Sequence, residues 1–248
     1  MWIPGIAALL TQLIHERSLS GLGWRVARLR FFAAAYMLPI GYVSLVYALV
    51  WLTGIGVFRP DGFLETMGGD LPFSLGSATW QTAAGIGYVI TFGVLTTCWA
   101  TLGEELGWRG LLVPELAKRY SFAMTALISG GLWAVWHFPV LLFADYHNPG
   151  APLWFGLICF TILVLGVSFA FAWLRLKSGS VWVAVILHAS HNIFIQAVFT
   201  PMTGSNAITP YVIDEFGIGL ALVGVLVASL FWRKRIALNT TDGQRQSA

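Results

Sequence analysis

Charged residues are scarce in this chain. Lys and Arg number 14 and Asp and Glu 11 among 248 residues, 10% in all, where a soluble domain of this size carries about 25%. With 57% apolar residues and a mean hydropathy of +0.76, that scarcity excludes a soluble globular protein and implies an integral membrane one. Cysteine is equally sparse. Cys98 and Cys159 both fall inside apolar runs, so a disulfide framework is excluded and no metal-ligand spacing is present. The short alternating segments of a transmembrane β-barrel are missing too. What remains is an all-α, polytopic membrane protein.

Apolar runs long enough to cross a bilayer, about 20 residues each, are expected at 31–57, 81–102, 122–143, 153–174, 181–199 and 212–232. Net charge is only +3, but its placement is informative. Arg17, Arg25, Arg28 and Arg30 precede the first run, Lys118 and Arg119 follow the second, Arg175 and Lys177 the fourth, and Arg233, Lys234 and Arg235 the sixth. The alternate loops carry Asp61, Glu65, Asp70, Asp145, Asp214 and Glu215, with Arg59 as their one cation. This asymmetry predicts six spans with both termini in the cytoplasm, in the plasma membrane. Residues 1–30 are expected to form a basic amphipathic segment on the inner leaflet rather than a cleaved signal peptide. The membrane domain is then 31–236, followed by a polar tail over 237–248. The expected partners are the lipid bilayer and a peptide or protein substrate; no nucleic acid is expected.

Against this apolar background, three polar clusters stand out. Carboxylates in hydrocarbon cost roughly 2.5–3.5 kcal/mol each, yet Glu104 and Glu105 sit together at the end of the second run, with Arg109 four residues on. On a helix Glu105 and Arg109 share a face and can pair. Glu104 points about 100° away, free to face a cavity as a general base. The plainer alternative is a structural ion-pair network. His137 follows Trp133 by one turn and precedes Pro139, and a lone histidine on an aromatic helix is commonly a satisfied core residue. The third cluster is His188-Ala189-Ser190-His191-Asn192, where His188 and Asn192 project from one face.

These clusters can meet. Glu104 lies 15 residues before Arg119 and His137 lies 16 after Ser121, so in a helical hairpin both stand about 22–24 Å from the turn. His188, 11 residues beyond Lys177, rises about 16 Å from the same side. Gly107, Gly110 and Pro114 could break the first arm and move these heights. A carboxylate and an imidazole that converge can deprotonate a water. A second imidazole and an amide can stabilise the oxyanion formed when that water attacks a carbonyl. Alternatively Glu104, His137 and His188 could ligate zinc and lower the pKa of its bound water, although the HExxH pairing of common zinc peptidases is absent. A non-catalytic peptide-binding or bacteriocin-immunity protein, and a proton-coupled transporter, are the competing classes.

Glu104-Glu105-x-x-x-Arg109, then Trp133-x-x-x-His137, then His188-x-x-x-Asn192 resembles the CPBP family of intramembrane peptidases, which includes CAAX prenyl endopeptidases and bacteriocin-processing or Abi proteins. The resemblance runs over about residues 81–200, with the motifs in family order. It implies Glu104 and His137 as the water-activating pair, His188 and Asn192 at the oxyanion, and Glu105 and Arg109 in support. Trp133 departs from the phenylalanine usual in the second motif. Members are often labelled metalloproteases, which keeps zinc as the alternative cofactor.

Overall fold

The computed structural model describes residues 1–144 and 146–238. Asp145 and all but the first two residues of the expected tail lie outside them. In chain order the helices are α1 (Ile3–Glu16), α2 (Leu29–Leu52), α3 (Asp61–Met67), α4 (Ala78–Ala117), α5 (Phe122–Phe143), α6 (Leu153–Ser178), α7 (Val181–Phe199) and α8 (Ile218–Arg233). Two-residue strands Val57–Phe58 and Thr203–Gly204 pair antiparallel between them. Among the described residues five helices, α2 and α4 to α7, are long and apolar enough to cross a membrane. The protein is a multi-pass, all-α membrane protein.

Element boundaries follow local chemistry. α5 opens at Ser121, whose side chain accepts a hydrogen bond from the Met124 amide, a normal N-cap. α6 ends at Gly179 in the left-handed region, with Arg175 and Lys177 in its last turn, where cations oppose the helix dipole. Pro39 and Pro139 stay inside α2 and α5, as helix packing in membranes allows.

Three boundaries differ from expectation. The second run does not stop near residue 102 but continues to Ala117, widened twice into π-helix at Val89–Gly93 and Leu106–Leu112. Gly107, Gly110 and Pro114 therefore widen the arm or join its last turn rather than break it. The first span ends at Leu52, not near 57, because Thr53 and a left-handed Gly54 turn the chain. The sixth starts at Ile218, because Asp214 takes a positive φ of 67° and Gly217 is extended. At 16 residues α8 is about 24 Å long.

The most enclosed helices are α6 and α7. α6 packs on α5 and α8, α7 on α2 and α4, and α1 lies against the second half of α4. Small residues permit the closest approaches: a Cβ on Gly166 would stand 2.2 Å from the carbonyl oxygen of Gly224, so α6 and α8 meet backbone to backbone. On the N-terminal side a Cβ on Gly107 would stand 2.6 Å from the Pro4 side chain, and one on Gly5 2.4 Å from the Gly103 oxygen. α1 thus presses Pro4, Gly5 and Ala8 onto the turn that carries Glu104 and Glu105, and leaves Ile3, Ile6, Leu10 and Ile14 exposed.

Candidate active site

Glu104 and Glu105 end the regular part of α4, one residue before the π-helical turn over Leu106–Leu112. Such widened turns gather at functional sites because they redirect side chains and free backbone carbonyls. Two freed carbonyls are answered directly. Buried Arg175 donates from Nε to the Arg109 oxygen (2.7 Å) and from Nη2 to the Gly110 oxygen (3.5 Å).

The two glutamates diverge as the helical period requires. Fully buried Glu105 accepts from Arg109 Nη1 at 2.9 Å and from His188 Nδ1 at 2.9 Å, both on Oε1. The Arg109 guanidinium is clamped between the rings of Trp133 and Phe171, at 4.2 and 4.1 Å from their centroids. It also reaches Ser168 Oγ at 3.4 Å. A wholly desolvated cation gains most from such faces. The i,i+4 pairing of Glu105 with Arg109 thus forms as the spacing indicates.

Glu104 turns the other way, into a cavity of about 870 Å³ that His137, His188 and Asn192 also line. Its Oε2 accepts the indole N–H of Trp133 at 3.0 Å and stands 4.0 Å from His137 Nε2. The other nitrogen of His137, Nδ1, is 2.9 Å from the Trp133 carbonyl oxygen. A carbonyl can only accept, so Nδ1 carries a proton, and Nε2 is the nitrogen that faces Glu104. All six residues named from the sequence therefore gather around one chamber or directly behind it.

The donors do not form a zinc cage. Among the described residues no three His, Cys, Asp or Glu side chains are placed to hold one metal ion. The trio Glu104, His137 and His188 does not fit zinc, and no step below passes through a metal.

The chamber's remaining walls are apolar and aromatic, including Trp108, Trp133, Trp136 and Phe160. At its far end lies a polar cluster that sequence reasoning missed. Glu215 accepts from Tyr146 Oη at 2.9 Å and Gln196 Nε2 at 3.1 Å, and pairs with His191 Nε2 at 3.3 Å. His191 Nδ1 meets the Tyr42 hydroxyl. Both nitrogens of His191 are thus engaged, so it ties α7 to α2 and to the 212–217 turn. The signal for this cluster was slight: Glu215 reads in sequence as one more acidic loop residue.

Residues 85–194, which contain all three motifs, match the family of type II CAAX prenyl endopeptidases described as Rce1-like. The chain is also similar to the CAAX prenyl protease 2 of Methanococcus maripaludis, 29% identical over 124 residues. That match covers 48% of this chain and 45% of the relative, so the similarity spans just under half the relative's length. The family segment ends two residues beyond Asn192 and begins inside α4, so α1, α2 and α8 lie outside it.

Proposed function

We propose that this chain is an intramembrane endopeptidase of the CAAX protease type, which hydrolyses a peptide bond of a membrane-attached peptide or protein. The observation that carries the reading is the 4.0 Å gap between Glu104 Oε2 and His137 Nε2, inside a chamber walled by aromatic side chains. A water oxygen standing to one side of this pair, about 2.8 Å from each atom, can donate a hydrogen bond to both. Glu104 takes the proton as the water oxygen bonds to the carbonyl carbon, and later returns it to the leaving amine as the C–N bond breaks. The products are a carboxylate and an amine, and no covalent enzyme intermediate forms.

His188 and Asn192 stabilise the oxyanion. With Nδ1 donated to Glu105, a neutral His188 offers only a lone pair at Nε2. It donates to the oxyanion from Nε2 in its imidazolium form. The Asn192 amide donates in either state. The charge asymmetry of the loops supports both termini in the cytoplasm of a plasma-membrane protein. The apolar chamber suits maturation of lipid- or membrane-anchored peptides, a class spanning bacteriocin precursors and prenylated tails.

The test is Glu104→Gln in purified, reconstituted protein, with peptide ends read by mass spectrometry. The substitution keeps the acceptor for Trp133 but removes the base. Cleavage is expected to fall about 10²- to 10⁴-fold at unchanged protein level and thermal midpoint. Full cleavage by this variant overturns the assignment, and favours a non-catalytic binding or immunity role.

A further inference from the structure

We infer that Trp133 is the positioning residue of the water-activating pair, holding Glu104 with its side chain and His137 with its main chain. The inference rests on the hydrolytic reading above and adds a residue that the motif-level assignment treats as packing. Two observations on opposite ends of one residue carry it. The Trp133 indole N–H donates to Glu104 Oε2 at 3.0 Å, and the Trp133 carbonyl takes the Nδ1 proton of His137 at 2.9 Å. The residue therefore sets where the carboxylate oxygen stands and also which imidazole nitrogen faces it.

The surroundings make that grip rigid. Trp133 is 4% exposed. Its ring meets His137 and His188 edge to face, at centroid distances of 6.0 and 5.2 Å. The Arg109 guanidinium covers it at 4.2 Å. Both imidazoles and the supporting arginine thus share one indole as a common wall. A buried tryptophan is ordinarily a large core residue whose N–H finds any convenient carbonyl. Here the N–H instead meets the chamber-facing carboxylate that stands beside His137.

The consequence is directional. The indole N–H occupies one lone pair of Oε2 and leaves another for the incoming water. Without it Glu104 is free to rotate about its last side-chain torsions, which are broad and weakly restrained. The 4.0 Å separation from Nε2 would then be one of several. Phenylalanine, usual at this place in the resembling proteins, fills a similar slot but has no N–H to give. The indole contact is thus a feature of this chain rather than of the motif.

Two readouts test the inference independently. The first replaces Trp133 with β-(3-benzothienyl)alanine, which keeps the bicyclic shape but carries sulfur where the indole has N–H. Trp133→Phe is the genetically encoded counterpart. Loss of one hydrogen bond to a charged group predicts a fall in kcat of about 10- to 100-fold. KM should stay within about twofold, because the ground-state walls are intact. The second readout is the indole ¹⁵N–¹H resonance of Trp133 in the active-site-intact protein, which should move when Glu104→Gln removes the carboxylate charge. A benzothienyl protein with the parent's kcat overturns the inference, and so does an indole resonance indifferent to Glu104→Gln. Should the parent protein cleave no peptide, the hydrolytic reading fails by itself, and the resonance still decides whether Trp133 grips Glu104.

Discussion

A fully buried guanidinium is the least tolerant feature of this molecule at the residue scale. Arg109 is enclosed by two rings, one carboxylate and one hydroxyl. Removing one member of such a pair strands the other charge in a medium that cannot solvate it, at a cost of about 3–5 kcal/mol. Arg109→Met should therefore lower the thermal midpoint in detergent more than the double variant Glu105→Gln/Arg109→Met, which strands no charge. If the single variant proves as stable as the double, the ion pair is not what holds the Glu105–His188 contact. This pairing was legible from the sequence, because i,i+4 geometry fixes which glutamate meets the arginine. The role of Trp133 was not. Hydropathy and spacing place an aromatic one turn before His137, but only coordinates show which end of its ring faces Glu104.

The decisive contact at the scale of elements is between α1 and the widened turn of α4. Glycine at 103 and 107 is required by proximity: a Cβ at 107 would come within 2.8 Å of the Pro4 oxygen, and one at 103 within 2.9 Å of the Met1 oxygen. Gly107→Val should therefore push α1 off α4, at about 1–3 kcal/mol as for overpacked cores. The readout is faster proteolytic cleavage in the 17–28 linker, together with reduced peptide hydrolysis, since Glu104 and Glu105 stand on the displaced turn. Gly87→Val, on the same helix but with no neighbour within 4 Å of its Cβ, is the control and should change neither. Equal proteolysis of the two variants would show that α1 does not brace the site. The turn between α4 and α5 at residues 118–121 was readable from Arg119 and Ser121, and so was the shared depth of Glu104 and His137. The π-helical turn was not, because one inserted residue leaves an apolar run looking the same. That insertion is also why Arg175, which reads as a cytoplasmic loop charge, is drawn inward to cap the Arg109 and Gly110 carbonyls.

Over the whole molecule, the chamber's lining reaches from Met1, just ahead of α1, to the polar cluster around Glu215, and that cluster depends on pH. That cluster joins α2, α7, the 144–152 loop and the 205–217 segment through Tyr42, His191, Gln196, Tyr146 and Glu215. Asp214 lies beside it in the turn before α8, where Tyr47 Oη approaches its backbone amide at 3.2 Å. Burial, and then the neighbouring Glu215 charge, push the Asp214 carboxyl from its ordinary 3.8 up to about 7. The folded protein therefore holds a proton that the unfolded chain has already released between about pH 4 and pH 7. Stability must fall as pH rises through that window, and the loss is complete above it. Asp214→Asn removes the titration while keeping an acceptor for the Glu215 amide, and asparagine tolerates the positive φ. Relative to the parent it should unfold at the same temperature near pH 4 and several degrees higher at pH 8, an advantage of about 2–4 kcal/mol at most. Thermal unfolding of both proteins across pH 4–8 decides the matter. Parallel curves would mean that Asp214 is ionised throughout, and that water, rather than protein, surrounds this end of the chamber.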